Sequence, residues 1–191
     1  MSGCASYSVK TTDFTPVQQS PLEVPEDYLL DVGIEVFEPD LESMPEEAVQ
    51  FSGIREAESV WVAEQLKTTL QRAAAWGVVR VIPDERVIVD LMITGQILQS
   101  DGEFMQLAVQ VTDAAGNIWL DDIYEQRISH YAYSPAQVEH EPFQGIYNEI
   151  SNDLFELLSQ KSSDERLELR KITAIQFARN FSPEAFDDYL T

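Results

Sequence analysis

Residues 87–128 read VIVDLMITGQILQSDGEFMQLAVQVTDAAGNIWLDDIYEQRI, and this stretch decides the fold. Val87, Val89, Leu91, Ile93 and Ile97 share one parity, as do Met105, Leu107, Val109 and Val111. Side chains alternate across a strand, so each set marks a strand with one buried face. Ser100-Asp101-Gly102-Glu103 separates the first two runs, and Asp-Gly suits the positive φ angles of a type I′ hairpin turn. Asp113-Ala114-Ala115-Gly116-Asn117 makes the next turn, and Ile118–Ile128 returns as a third strand. Val87–Gln99, Phe104–Thr112 and Ile118–Ile128 are therefore expected to form an antiparallel meander.

Upstream, residues 29–37 form an earlier strand, with Leu30, Val32, Ile34 and Val36 on its apolar face and Pro39 as its stop. After an acidic loop, Ile54, Ala57, Trp61, Leu66 and Leu70 recur at near-helical spacing, predicting a helix from Ile54 to Ala75. Gly77 ends it, and Val78–Ile82 is a short strand closed by Pro83. Downstream of the meander, helices are expected over Phe143–Gln160 and Ser163–Arg179. Ser182-Pro183-Glu184 opens a short final helix with proline at its first helical position. The order β-α-β-β-β-β-α-α describes an α+β fold, a mixed sheet containing an antiparallel meander with helices packed on one face. Residues 28–191 make one domain, and residues 1–27 a flexible lipoprotein tether rich in Ser, Thr, Gln and Pro.

The single cysteine lies in Met1-Ser2-Gly3-Cys4, ahead of Ala5. Lipoprotein signal peptides end in an apolar residue, two small residues and cysteine. The small residues fit the signal peptidase, and the thiol accepts diacylglycerol. The pattern leads to the expectation that Cys4 is lipidated and that a signal peptide precedes Met1. A chain otherwise free of cysteine suits an oxidising compartment, and one cysteine leaves no internal disulfide, no CxxC pair and no cysteine-based zinc cluster. By likeness to sorted lipoproteins, Ala5 after the cysteine points to the periplasmic face of the outer membrane.

Twelve Lys and Arg against 34 Asp and Glu give a net charge of −22, a surface that repels phosphate backbones and bare anionic membranes alike. Nucleic acid is therefore not an expected partner. The simplest source of the acidity is solubility, with an acidic binding face as the alternative. No apolar run approaches the ~20 residues that cross a bilayer.

Several runs look familiar. Leu30-Asp31-Val32-Gly33-Ile34, Ile54-Arg55-Glu56-Ala57-Glu58, Trp76-Gly77-Val78-Val79-Arg80-Val81 and Ser100-Asp101-Gly102-Glu103 resemble a group of proteobacterial outer-membrane lipoproteins of unassigned function. Asp113-Ala114-Ala115-Gly116, Pro142-Phe143-Gln144-Gly145-Ile146-Tyr147-Asn148 and Pro183-Glu184-Ala185-Phe186 extend the resemblance over most of residues 28–190. It implies an envelope location and brings no activity with it. The element order is also similar in pattern to CsgG-like, TolB N-terminal and transport-auxiliary lipoprotein domains, and fold likeness does not confer function.

Chemistry-bearing motifs are sparse. His130 and His140 lie ten residues apart in one loop with no spacing that puts both on one face, and are read as solvated histidines. Asp121 and Asp122 are adjacent on a strand and point to opposite faces, which disfavours chelation of one ion. There is no GxSxG, Cys4 has no positioned base, and the scattered glycines form no phosphate loop. No metal or cofactor is expected. Tyr131, Tyr133 and Phe143 gather beside Pro135 and Pro142 and are the candidate contact surface, with packing onto the sheet as the alternative. The function expected is a non-catalytic, lipid-anchored envelope component that binds an envelope protein. A small-ligand or lipid carrier is the alternative, and an acid-pair hydrolase the least supported.

Overall fold

A computed structural model describes residues 15–21, 24–39, 52–82, 87–128 and 141–181. A 3-10 turn, Glu26–Tyr28, leads into strand β1 (Val32–Glu35) and a two-residue continuation, β2 (Glu38–Pro39). Helix α1 (Ser52–Ala73), β3 (Val79–Ile82) and the long strands β4 (Leu91–Ser100), β5 (Phe104–Asp113) and β6 (Ile118–Arg127) come next. Helices α2 (Gln144–Ser159) and α3 (Ser163–Phe181) close the described chain. The mixed α+β architecture and the meander are as the sequence predicts. The expected final helix lies outside the described residues.

The sheet runs β3-β1-β4-β5-β6, with β2 pairing beside β4. β1 is parallel to both β3 and β4, while β4, β5 and β6 are antiparallel. A parallel pair needs a long crossover, and α1 supplies it between β1 and β3. The hairpins need only short turns. In the first, Asp101 Oδ1 accepts the N–H groups of Glu103 (3.1 Å) and Phe104 (2.9 Å), and Gly102 takes a φ of +84°. Asp101 itself keeps a negative φ, so this is an aspartate-braced turn with one left-handed glycine rather than the expected type I′ turn. In the second, Asp113 is almost fully buried and accepts from the amides of Ala115 and Asn117, the side chain of Asn117 and the Trp119 indole. Burial alone would raise its carboxyl pKa; these bonds outweigh burial and hold it below the usual value.

α1 and α2 cover one face of the sheet, and the interior between them is filled. Val32, Ile34, Leu91, Ile93, Leu107, Val109 and Val111 meet Leu66, Leu70, Tyr147, Ile150 and Leu154 in one cluster. The opposite face carries half-buried Thr94, Gln96, Ala108 and Gln110 and has no helix over it among the described residues.

Two patterns depart from the sequence expectation. After Ile34 the first strand changes phase, burying Phe37 completely while Val36 is exposed. The Phe37 ring lies over Gly95 in β4, where an added Cβ would stand 2.3 Å from a ring carbon. The apolar row of α1 also belongs to two faces. Val62, Ala63, Leu66, Leu70 and Ala73 are buried, whereas Ile54, Ala57 and Trp61 point to solvent on the other side of the helix.

Gly95→Val should therefore overpack the Phe37 contact and cost about 1–3 kcal/mol in chemical denaturation. Unchanged stability would mean that Phe37 does not seat on this strand.

Candidate functional site

Of the residues singled out by sequence, Cys4, His130, Tyr131, Tyr133 and His140 lie outside the described residues. Phe143 is described and does not face outward. It sits just before α2, 5% exposed, within the hydrophobic core. Its packing is a result of position, because the next apolar residues, Ile146 and Tyr147, start the buried stripe of α2.

The charged groups are largely committed to the fold. Tyr124 Oη donates to Asp153 Oδ2 at 2.7 Å, and burial foremost, then the carboxylate, pushes its pKa up. Glu149 is raised by desolvation first and by Asp153 and Asp122 next, yet it is exposed on α2. An acid pair works from a desolvated cleft with separated pKa values, which this arrangement does not provide. Among the described residues, no three His, Cys, Asp or Glu side chains cluster as a metal site requires.

An open cleft of about 730 Å³ lies between Val24–Leu29, Trp76-Gly77-Val78 and Arg170. Part of its polar lining is engaged in holding segments together. Arg170 donates to the carbonyls of Glu26 and Leu29, and Asp31 Oδ1 accepts the N–H of Val78 at 2.8 Å. The Trp76 indole nitrogen is buried behind this wall without a hydrogen-bond partner. The cleft is a junction where three segments are tied together.

Residues 15–20, inside the stretch expected to be tether, are strapped across the helices. Asn148 Nδ2 donates to the Thr15 carbonyl (3.0 Å). Asn152 uses both ends of its amide, accepting from Gln18 N–H (2.7 Å) and donating to the Pro16 carbonyl (3.0 Å). Ser20 N–H reaches the Ala73 carbonyl at the end of α1, and Val17 packs on the core. Asn148 and Asn152 lie one turn apart and are both buried, so the extended strap gives each a partner that helix α2 alone does not. Within the expected tether, the described residues 15–20 are thus held to the body by hydrogen bonds. The signal for this strap in the sequence is a polar row at four-residue spacing, Gln144, Asn148 and Asn152, within the buried side of α2.

Large exposed apolar side chains lie on α1 and α3, and also at Val36, Val78, Ile118 and Ile123. On α1 these are Ile54, Val60 and Trp61, of which Ile54 is 64% and Trp61 52% exposed. The Trp61 indole donates to Glu141 Oε2 at 3.3 Å, and burial foremost raises the Glu141 carboxyl. On the last two turns of α3 they are Ile175, Phe177 and Phe181, with Phe181 78% exposed and the two rings 5.5 Å apart. α3 turns its other side to the body, through Thr173 to Asp90 Oδ1 (2.5 Å) and Gln176 to the Ala114 carbonyl (2.8 Å).

No family model matches the chain, and no curated protein does. Among solved structures, a Xanthomonas campestris protein of family DUF330 is similar at 10% identity and TM-score 0.46, covering 87% of this chain and 97% of its own. PelC from Paraburkholderia phytofirmans, a dodecamer, is similar at 12% identity and TM-score 0.42, over 75% and 94% of the two chains. A neuraminyllactose-binding hemagglutinin homolog from Helicobacter pylori is similar at 13% identity and TM-score 0.29, over 88% and 96%. Likeness at this level concerns the course of the chain alone.

Asn152→Ala removes two bonds to the strap, from Gln18 N–H and to the Pro16 carbonyl, which should cost about 1–2 kcal/mol. Limited proteolysis near Val17 should accelerate, whereas replacing the exposed Gln19 by alanine should leave both measurements unmoved. Unaltered cleavage in Asn152→Ala would contradict the strap.

Proposed function

We propose that this chain is a non-catalytic binding domain of the bacterial envelope, held at the periplasmic face of the outer membrane by lipid on Cys4. The observation that carries the binding role is the exposure of large apolar side chains on α1 and α3 of a body whose core is closed. Scattered single apolar residues on a surface are ordinary; grouped ones mark interaction sites. The carrier alternative has less behind it, since Tyr147, Leu66, Leu70, Leu107 and Ile150 are wholly enclosed where its pocket would lie. No helix among the described residues is long and apolar enough to cross a membrane.

The tether reading rests on Ser2-Gly3-Cys4 and Ala5. It gains a geometric consequence from the strap. Residues 5–14 separate Cys4 from Thr15 and reach at most about 35 Å when extended. A lipid on Cys4 would thus keep the domain close to the bilayer, with the strapped helix layer as its point of attachment.

Two measurements test the two parts. When the chain is expressed behind its native upstream region, mass spectrometry should find acyl chains on Cys4, and Cys4→Ser should leave the membrane fraction; an unmodified thiol would remove the tether. Photo-crosslinkers at positions 61 and 177 should each trap one discrete partner in whole cells, while one at Gln110 on the open sheet face should trap none. Silence at 61 and 177 would contradict the binding role.

A further inference from the structure

The sheet ends at β6, and that edge is open. β5 alternates half-buried and buried residues along its whole length, whereas Asp121, Asp122 and Ile123 of β6 are exposed in succession. Side chains alternate between faces, so this run is wet on both, as at a sheet edge with nothing laid along it. The direction of the backbone groups follows from the ladder. Ile128 N–H bonds the Glu103 carbonyl on the β5 side at 2.8 Å. Backbone polar groups alternate in direction along an antiparallel strand, so the amides of Asp121, Ile123 and Glu125 point away from β5. Ile123 agrees, because its N–H is taken by Asp122 Oδ1 at 2.7 Å. Among the described residues, that carboxylate is the one group bonded to these three outward amides.

The edge is also acidic. Asp121, Asp122 and Glu125 lie on it, and Glu149 and Asp153 of α2 stand beside it, where Asp153 accepts the Tyr124 hydroxyl. Among the described residues, none of these five carboxylates is ion-paired with Lys or Arg. The nearby cations sit towards the two ends of the strand and face rings, Arg127 over Phe104 (4.8 Å) and Lys161 over Trp119 (5.1 Å). On the face away from the helices the order is Asp121, Ile123, Glu125, a carboxylate on either side of an isoleucine that is 56% exposed. A lysine or arginine suits that spacing, because its alkyl stem covers the isoleucine while its head reaches a carboxylate.

We infer that the β6 edge is a strand-addition site for an extended segment, rich in Lys or Arg, of another protein. The segment's carbonyls take the amides of Asp121, Ile123 and Glu125, and its own N–H groups bond the outward carbonyls between them. Its cations meet the carboxylates on both faces of the edge. Asp122 acts as the guard. Its carboxylate must leave the Ile123 amide before an incoming carbonyl takes that place, and a cation on the segment gives it somewhere to go. A second copy of β6 is disfavoured, since it sets Asp121, Asp122 and Glu125 against their own kind. This edge is separate from the apolar surfaces of α1 and α3. Crosslinks from positions 61 and 177 therefore decide the binding role proposed above independently of it.

The test titrates the full chain carrying Cys4→Ser with an end-blocked peptide of alternating Lys and Val, followed by calorimetry and amide exchange. The peptide should bind and should slow exchange at Asp121, Ile123 and Glu125, leaving Ile93 and Val109 unmoved. Its Glu-Val counterpart should not bind. Methylating alternate peptide nitrogens keeps the charge, removes the hydrogen-bonding edge and should weaken binding at least about tenfold. Ile123→Pro deletes one outward amide at an edge position that tolerates proline, and should weaken binding as much with unchanged circular dichroism. The double variant Asp121→Lys, Glu125→Lys keeps every amide and should also lose the peptide, which guards against a strand disturbed by proline. Several outcomes would overturn the inference: no binding, equal binding by the methylated peptide or by either variant, or binding that leaves the three amides unprotected. So would self-association in sedimentation velocity that Ile123→Pro abolishes, because the edge would then belong to a second copy.

Discussion

The carboxylate of Asp90 holds the molecule together at one end of the sheet. It is 2% exposed, lies just before β4, and accepts the Asp31 N–H at 2.7 Å and the Thr173 hydroxyl at 2.5 Å. Asp31 returns the tie, its carbonyl taking the N–H groups of Asp90 and Leu91 and its side chain taking Val78 N–H. One buried acid thus fixes the entry of β1 beside β4, and through Asp31 the entry of β3, and it roots α3. A buried carboxylate without a cation survives only when hydrogen bonds replace its hydration. Losing one of these donors exposes the fold to a penalty of about 1–3 kcal/mol. β4 is also the strand on which the two sheet geometries meet, parallel on its β1 side and antiparallel on its β5 side.

Around this clamp, interior and surface divide the labour. The strands and the inner faces of α1 and α2 are consumed by packing, and the polar groups around the Trp76 cleft are consumed by tying segments together. Little chemistry is left over inside. Unspent apolar area lies outside, on the outer side of α1, at the tip of α3 and at Ile118 and Ile123 of β6. A domain of this kind acts through what it touches. The strap held by Asn148 and Asn152 joins the leader to the body on its helical side.

Much of this architecture is legible in the sequence where one physical signal dominates. The alternation in β5 reads cleanly because each inward residue is apolar and most outward ones are small or polar. The hairpins are legible from Asp-Gly and Ala-Gly-Asn, although the side-chain bonds of Asp101 and Asp113 that brace them are not. α1 misleads because Ile54, Ala57 and Trp61 make a genuine apolar row that faces outward, and periodicity cannot say which of two apolar faces meets the sheet. Phe37 escapes because alternation breaks after Ile34, and nothing local announces a change of phase. The strap is hidden for a different reason. Its partners are more than 130 residues apart, and buried asparagines look like solvated ones until the segment that satisfies them is in place.

α3 is rooted in the core at Asp90 and uncovered at its tip. Amide hydrogen exchange on the dilute full chain reads both ends of the helix at once. Ile93 in β4 and Val109 in β5 should exchange slowest, Leu169 of α3 should come after them, and the amides from Ile175 to Phe181 should exchange many times faster. Protection at the α3 tip equal to that of β4 in a dilute monomer would show that the chain covers this surface itself, and would contradict the account.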